Sequence, residues 1–226
     1  LMINTVLINL WKGALETTAM TIIATILAYL VGLPLGVLLN ITGKNGIKRN
    51  KLINIPLGII VNVLRSIPCI LLIIILLPLT RSIFGRGTGE WYTMIVPLFI
   101  ASFAFVSRMV ESSLNEVDNG VIEMAKSVGA STWQIRTKVL IKESLPSLIT
   151  GLAVSTISIL GYTAFAYDFG AGGLSAEAYS FYASHTATYL KYPNIWIIIL
   201  IIVLIVQGIQ ELGLLIAKKI DKRRKN

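Results

Sequence analysis

Long apolar blocks separated by short polar stretches dominate the 226-residue sequence. Five blocks, at about 15–39, 53–79, 91–114, 145–166 and 195–217, reach the ~20 residues that an α-helix needs to cross a bilayer. The pattern predicts an all-α membrane protein with five transmembrane helices in a single domain over 1–226. The first block carries Gly32 and Gly36, a small-xxx-small pair that permits close helix approach. Pro34 lies between them and predicts a kink that neighbouring helices absorb. Residues 1–12, LMINTVLINLWK, mix apolar and polar positions and predict a separate interfacial helix with Trp11 at headgroup level. No cleavable leader is expected there, since the first block runs long and lacks a basic start.

Composition agrees with the blocks: 55% of residues are hydrophobic and 14% charged, which excludes an ordinary soluble domain. The formal net charge of +9 could suggest nucleic acid, but the cations border apolar blocks instead of forming one stripe. Lys44, Lys48, Arg49 and Lys51 follow the first block, and Lys126, Arg136, Lys138 and Lys142 follow the third. Lys218, Lys219, Lys222, Arg223, Arg224 and Lys225 follow the last. Segments on the other side hold only Lys12, Arg81, Arg86 and Lys191. The positive-inside rule then puts the N-terminus outside and the C-terminus in the cytoplasm of a multi-pass protein in membrane lipid, with no role for nucleic acid.

Within the second block, Arg65, Ser66 and Pro68 interrupt the apolar run. An arginine at that depth must face protein or water. Two readings stay open, a place near a transport pathway or subunit interface, and pairing with carbonyls freed at Pro68. Arg108 and Glu111, three apart, are expected to pair on one helix face. The fourth block is rich in small and hydroxylated residues and includes the pathway or interface candidates Gly161 and Tyr162. The segment after it, 166–194, carries Gly170, Gly172 and Gly173 in a turn. Tyrosines 167, 179, 182, 189 and 192 there suit an interface belt. The one histidine, His185, has no ligating neighbours in sequence, so no metal site is expected. Cys69, the one cysteine, can form no internal disulfide.

The longest polar interruption is 115–146, with a coupling loop at 115–144. A short helix over 120–128 is expected to end at Gly129, whose lack of a Cβ suits a left-handed helix end. A second short amphipathic helix over 131–144, capped by Ser131 or Thr132, follows. Together they predict a knuckle projecting from the membrane on the cation-rich side.

Enzyme chemistry finds no purchase in this sequence. Gly43-Lys44-Asn45 fails the phosphate-loop pattern, and there is no nucleophile elbow or zinc-ligand pair. If the protein moves a solute uphill, a separate polypeptide must supply the energy.

Glu123-Met124-Ala125-Lys126-Ser127-Val128-Gly129 resembles the E-A-A-x-x-x-G loop of permeases from ATP-binding-cassette (ABC) importers. Met124 replaces the second-position alanine of that pattern, and Lys142 replaces the proline of the I-x-L-P that follows. The stretches GLPLGVLL, NVLRSIPCILLI, PLTR, VPL, SRMVESSL, GYTA and GAGGL, in order over 32–174, are similar to the methionine-import subgroup. The resemblance implies a type I importer permease fold and methionine as cargo. It also implies a homodimer of this chain with two ATPase subunits and an extracytoplasmic substrate-binding lipoprotein in a bacterial cell membrane. ATP and Mg would be bound by the ATPase, with no cofactor in this chain. By the same resemblance Glu123, Ala125 and Gly129 couple to the ATPase. Glu123 would favour the helix start or meet a basic group, Ala125 would keep the contact face small, and Gly129 would make the bend. Gly170, Gly172 and Gly173 fall where the binding protein would dock. Another amino acid or small organic solute is the alternative cargo, suggested by the bulky Tyr167-Asp168-Phe169. A stand-alone channel or secondary transporter is the alternative of a different class.

Overall fold

A computed structural model describes residues 2–44, 46–185, 188, 190 and 192–221. Among these, every regular element is helical. Eight helices carry the architecture. They are α1 (Met2–Thr42), α2 (Lys51–Ser66), α3 (Cys69–Phe84), α4 (Ile95–Asn115), α5 (Asn119–Ser127), α6 (Thr132–Phe169), α7 (Gly173–Ser184) and α8 (Pro193–Ile220). Four of them, α1, α4 with its 3-10 lead-in from Trp91, α6 and α8, are long and apolar enough to cross a membrane. A fifth crossing is reached if α2 and α3 count as one broken span.

The elements depart from the sequence expectation at three places. The interfacial helix expected over 1–12 is not separate, since α1 runs unbroken for 41 residues. At about 1.5 Å per residue it is about 60 Å long, twice the ~30 Å hydrocarbon thickness. The second block is broken at Ile67–Pro68, because Pro68 has no N–H to donate and its ring disfavours a helical Ile67. Pro68 itself stands at the start of α3 with φ −54° and ψ 137°. The third departure is α6, where the expected short helix over 131–144 and the span from 145 form one helix. It starts with a turn at Thr132–Gln134, loosens into a π-helix at Ile135–Leu140 and continues as Ile141–Tyr162. Pro146 sits inside it. Hydroxyls on either side of the proline bond back to the helix: Ser144 Oγ donates to the Leu140 carbonyl at 2.8 Å and Thr150 Oγ1 to that of Pro146 at 3.1 Å.

The chain forms two compact units. The first comprises Leu1–Leu27, Ile67–Ser102 and Thr156–Ile209. Leu10, Leu174 and Ile198 make an apolar cluster within it. In the same unit aromatic side chains pack in pairs, Tyr167 stacking on Tyr179 at 4.0 Å and Phe84 meeting Tyr92 edge-on at 5.4 Å. Tyr182 meets Tyr179 edge-on, Tyr192 packs against Phe181 and His185, and Tyr189 lies outside the described residues. His185 stacks on Phe181 at 4.5 Å.

The second unit comprises Ala28–Ser66, Phe103–Ser155 and Gln210–Asn226. Here α1 meets α4 through the predicted glycine pair. A Cβ on Gly32 would come within 2.7 Å of Val106, and one on Gly36 within 2.7 Å of Val110. Leu39, Val61 and Ala104 form the cluster where α1, α2 and α4 converge. Asn40 Nδ2 donates to Asn115 Oδ1 at 2.7 Å, tying the end of α1 to the end of α4.

Candidate functional site

The knuckle is set by local hydrogen bonds that the sequence encodes residue by residue. Asp118 caps α5, its Oδ1 accepting from the Gly120 N–H at 2.6 Å. The helix ends in a Schellman motif. The Gly129 N–H donates to the Lys126 carbonyl at 2.9 Å and the Ala130 N–H to the Ala125 carbonyl at 3.1 Å. Gly129 takes φ +77°, the left-handed conformation expected of it. One residue later a capping box starts α6. The Ser131 N–H donates to Gln134 Oε1 at 2.8 Å, and the Gln134 N–H donates to Ser131 Oγ at 3.3 Å. The cap is therefore Ser131, not Thr132. Because α6 has no interruption, the short helix α5 is joined by one fixed bend to a helix long enough to span.

Side-chain positions revise the roles expected of the loop. Glu123 is exposed at the middle of α5, beyond the first turn where a helix dipole acts, so Asp118 occupies the favourable start instead. Ala125 is only 8% exposed and faces its own chain, where its small size lets α5 lie against the π-helical stretch. It does not present a contact face outward. The surface left open carries Met124, Val128 and Trp133, at 65%, 80% and 69% exposure. Val128 and Trp133 fill no defined position of any motif in the sequence. Bulky apolar residues inside the most polar stretch of the chain were the available signal, since an exposed apolar patch with a polar rim marks an interaction site.

The pathway or interface candidates fall in both units. Arg65 and Ser66 lie in the last turn of α2, where Ser66 Oγ donates to the Asn62 carbonyl at 2.8 Å. Arg65 makes no hydrogen bond or ion pair among the described residues, so pairing with carbonyls at the break is not its role. Arg108 and Glu111 pair as their spacing predicts, at 2.5 Å. Arg108 also donates to Asn62 Oδ1 through Nε at 3.2 Å and Nη2 at 2.8 Å, and to the Gly58 carbonyl at 3.2 Å. In the other unit, Gly161 is exposed and Tyr162 half-buried at the end of the α-helical body of α6.

The three glycines expected at a docking surface divide. Gly170 is exposed, with φ +66°. Gly173 is buried, and its N–H donates to Glu16 Oε2 at 2.9 Å while the Leu174 N–H donates to Thr17 Oγ1 at 2.9 Å. Gly172 closes on the same carboxylate, since a Cβ there would collide with Glu16. This pair clasps the start of α7 to α1 and satisfies its free N–H groups. Nearby, burial pushes the Glu177 carboxyl above its ordinary range, the Glu16 charge adds to the shift, and Lys12 opposes it.

A family described as "Binding-protein-dependent transport system inner membrane component" matches residues 32–225. The chain is 42% identical over 211 residues to the probable D-methionine transport system permease protein MetI of Pasteurella multocida, covering 93% of this chain and 95% of that one. It is 42% identical over 221 residues to the methionine import system permease protein MetP of Bacillus subtilis, covering 97% of each. A solved structure of inward-facing conformations of the MetNI methionine ABC transporter matches with a TM-score of 0.88 at 35% identity, over 96% of this chain and 98% of that one.

Proposed function

Because this chain belongs to the family of binding-protein-dependent transport system inner membrane components, we propose that it forms the membrane pathway of an ATP-driven methionine importer. It is a transport subunit with the helical fold of a type I ABC importer permease. The cargo rests on the relatives, whose names assign them methionine or D-methionine. The coupling role rests on one observation, the knuckle joined by a fixed bend to α6.

Two copies of the chain, two ATPase subunits holding ATP and Mg, and an extracytoplasmic binding lipoprotein make the working complex. Met124, Val128 and Trp133 seat in the ATPase, with Glu123 and Lys126 as the polar rim. When the ATP-bound motor closes, the two knuckles are drawn together. Each knuckle cannot swivel freely on its span, because Ser131 and Gln134 close the box and Gly129 holds one conformation. Movement at the knuckle therefore carries α6 with it, and the bundles rock to open outward, a rigid-body transition. Hydrolysis returns the pathway to the inward-facing state. The cation-rich loops and the end of α8 face the cytoplasm, and the start of α1 faces outward.

Growth tests this reading. A bacterial methionine auxotroph lacking its own importer, given this chain with its ATPase and binding protein, should grow on D-methionine. Growth should cease when the ATPase is made hydrolysis-deficient. Growth that persists without the ATPase would refute an ATP-driven permease, and growth on another amino acid alone would refute the cargo.

A further inference from the structure

On α4, Phe105, Met109 and Ser112 follow one another at i, i+4 and i+7, so they line one face of the helix, with Arg108 and Glu111 beside them. Across from this face stands Arg65 of α2, itself exposed, and the open pocket these residues line has a volume of about 510 Å³. That lies within the ~300–1,000 Å³ of small-molecule pockets.

The two arginines are in opposite conditions. Arg108 is committed through all three of its nitrogens, to Asn62, the Gly58 carbonyl and Glu111. It is a strut that fixes Glu111 and joins α4 to α2. Arg65 has its guanidinium uncommitted among the described residues. An arginine within an apolar helical segment is costly and needs a partner or water. Glu111 gives one carboxylate oxygen to Arg108. Its other oxygen makes no hydrogen bond or ion pair among the described residues.

We propose that this cavity is a waypoint for the transported α-amino acid, resting on the importer reading given above. Arg65 receives the substrate carboxylate through the two-pronged geometry that a guanidinium offers. The second oxygen of Glu111 accepts from the substrate ammonium. Phe105 and Met109 face its apolar side chain, and a thioether suits both, since sulfur packs favourably on an aromatic ring. Arg65, Arg108 and Glu111 together carry one net positive charge, and the zwitterionic substrate, neutral as a whole, pairs its carboxylate with Arg65 and its ammonium with Glu111 without changing that total. With a single uncommitted cation the site holds its cargo weakly, which suits a stage that must also release it.

The test uses the complete importer in proteoliposomes, with labelled L-methionine inside the binding protein and ATP hydrolysis followed in parallel. Arg65→Ala should lower methionine imported per ATP hydrolysed by about tenfold, which corresponds to about 1.4 kcal/mol. Hydrolysis stimulated by the binding protein should stay within about twofold of the parent, because the variant touches the cargo and not the motor. Arg65→Lys, which keeps the charge but loses the fork, should fall between the two. A structural role would move import and hydrolysis together. Unchanged import per ATP in Arg65→Ala would overturn the proposal. So would loss of complex assembly in both variants, because it would make Arg65 an interface residue. If the parent importer drives no amino acid, the function reading fails and this site with it. If the parent works and Arg65→Ala works equally, the site alone fails.

Discussion

Gly129 separates backbone strain from steric conflict, because only the first can act there. It holds φ +77°, and a Cβ built on it would meet nothing within 4 Å. Any cost of substitution therefore comes from forcing an L-residue into the left-handed region, about 1–2 kcal/mol. Gly129→Ala should lose about 1 kcal/mol, Gly129→Asn less, and the β-branched Gly129→Val about 2 kcal/mol or more. In a chain of this size each kcal/mol lowers the thermal midpoint by about 2–4 °C. Gly161→Ala is the control, since that glycine is helical and also has nothing within 4 Å of a Cβ. Alanine there should be neutral or better by up to about 1 kcal/mol through helix propensity. The assay is the thermal midpoint of the purified complex, with methionine imported per ATP measured on the same preparations. Relaxing the strain in Gly129→Val requires the bend to open and the Lys126 and Ala125 carbonyls to lose their donors. The valine variant should then hydrolyse ATP while importing poorly. Equal midpoints for Gly129→Ala and Gly161→Ala would show that the left-handed bend carries no strain, and full coupling in Gly129→Val would show that the bend does not transmit the motor's movement.

Three further outcomes are expected. Gly36→Ala should destabilise the second unit by about 1–3 kcal/mol through overpacking, because the added Cβ meets the Ser107 carbonyl oxygen, which cannot rotate away. Thermal unfolding should show the loss, while Gly208→Ala, with open space at its Cβ, should not. Glu177 has a raised carboxyl pKa, so the folded chain binds its proton more tightly than the unfolded chain does. Stability from this group is complete below the ordinary 4.5 and is lost as pH rises through the raised value, so Glu177→Gln should raise the midpoint at neutral pH and give no gain in acid. Finally, Val128→Asp and Trp133→Ala, both exposed, should leave the isolated permease as stable as before yet reduce recovery of the ATPase in pull-downs from detergent extracts.

Much of the site could be read from the residues alone because its signals are local. Gly129 and Ser131 announce a helix end and a helix start within three residues, and both act as their chemistry predicts. Gly32 with Gly36, and Arg108 with Glu111, are spaced to share a helix face and do so. What escaped the sequence depends on partners far along the chain or on continuity. Trp11-Lys12-Gly13 looks like the end of an interfacial helix, yet α1 runs through it, and Lys12 pairs with Glu16 at 3.8 Å one turn on. Pro146 looks like a helix start, but a π-helical turn precedes it and the helix runs on through it. Ala125 matches the loop pattern without revealing which way it faces, because on a nine-residue helix a small residue suits either side. The glycine turn at 170–173 looked like an outer surface. Only contacts more than 150 positions away, to Glu16 and Thr17, make half of it an internal clasp.

If this chain forms a methionine pathway driven by a separate ATPase through the knuckle, transport must depend on that ATPase. The most direct measurement is uptake of labelled methionine into proteoliposomes containing the permease, its ATPase and its binding protein. Accumulation should require ATP and all three proteins, be blocked by unlabelled methionine, and be lost in Gly129→Val while hydrolysis continues. Methionine flux without ATP, or without the ATPase, would contradict it.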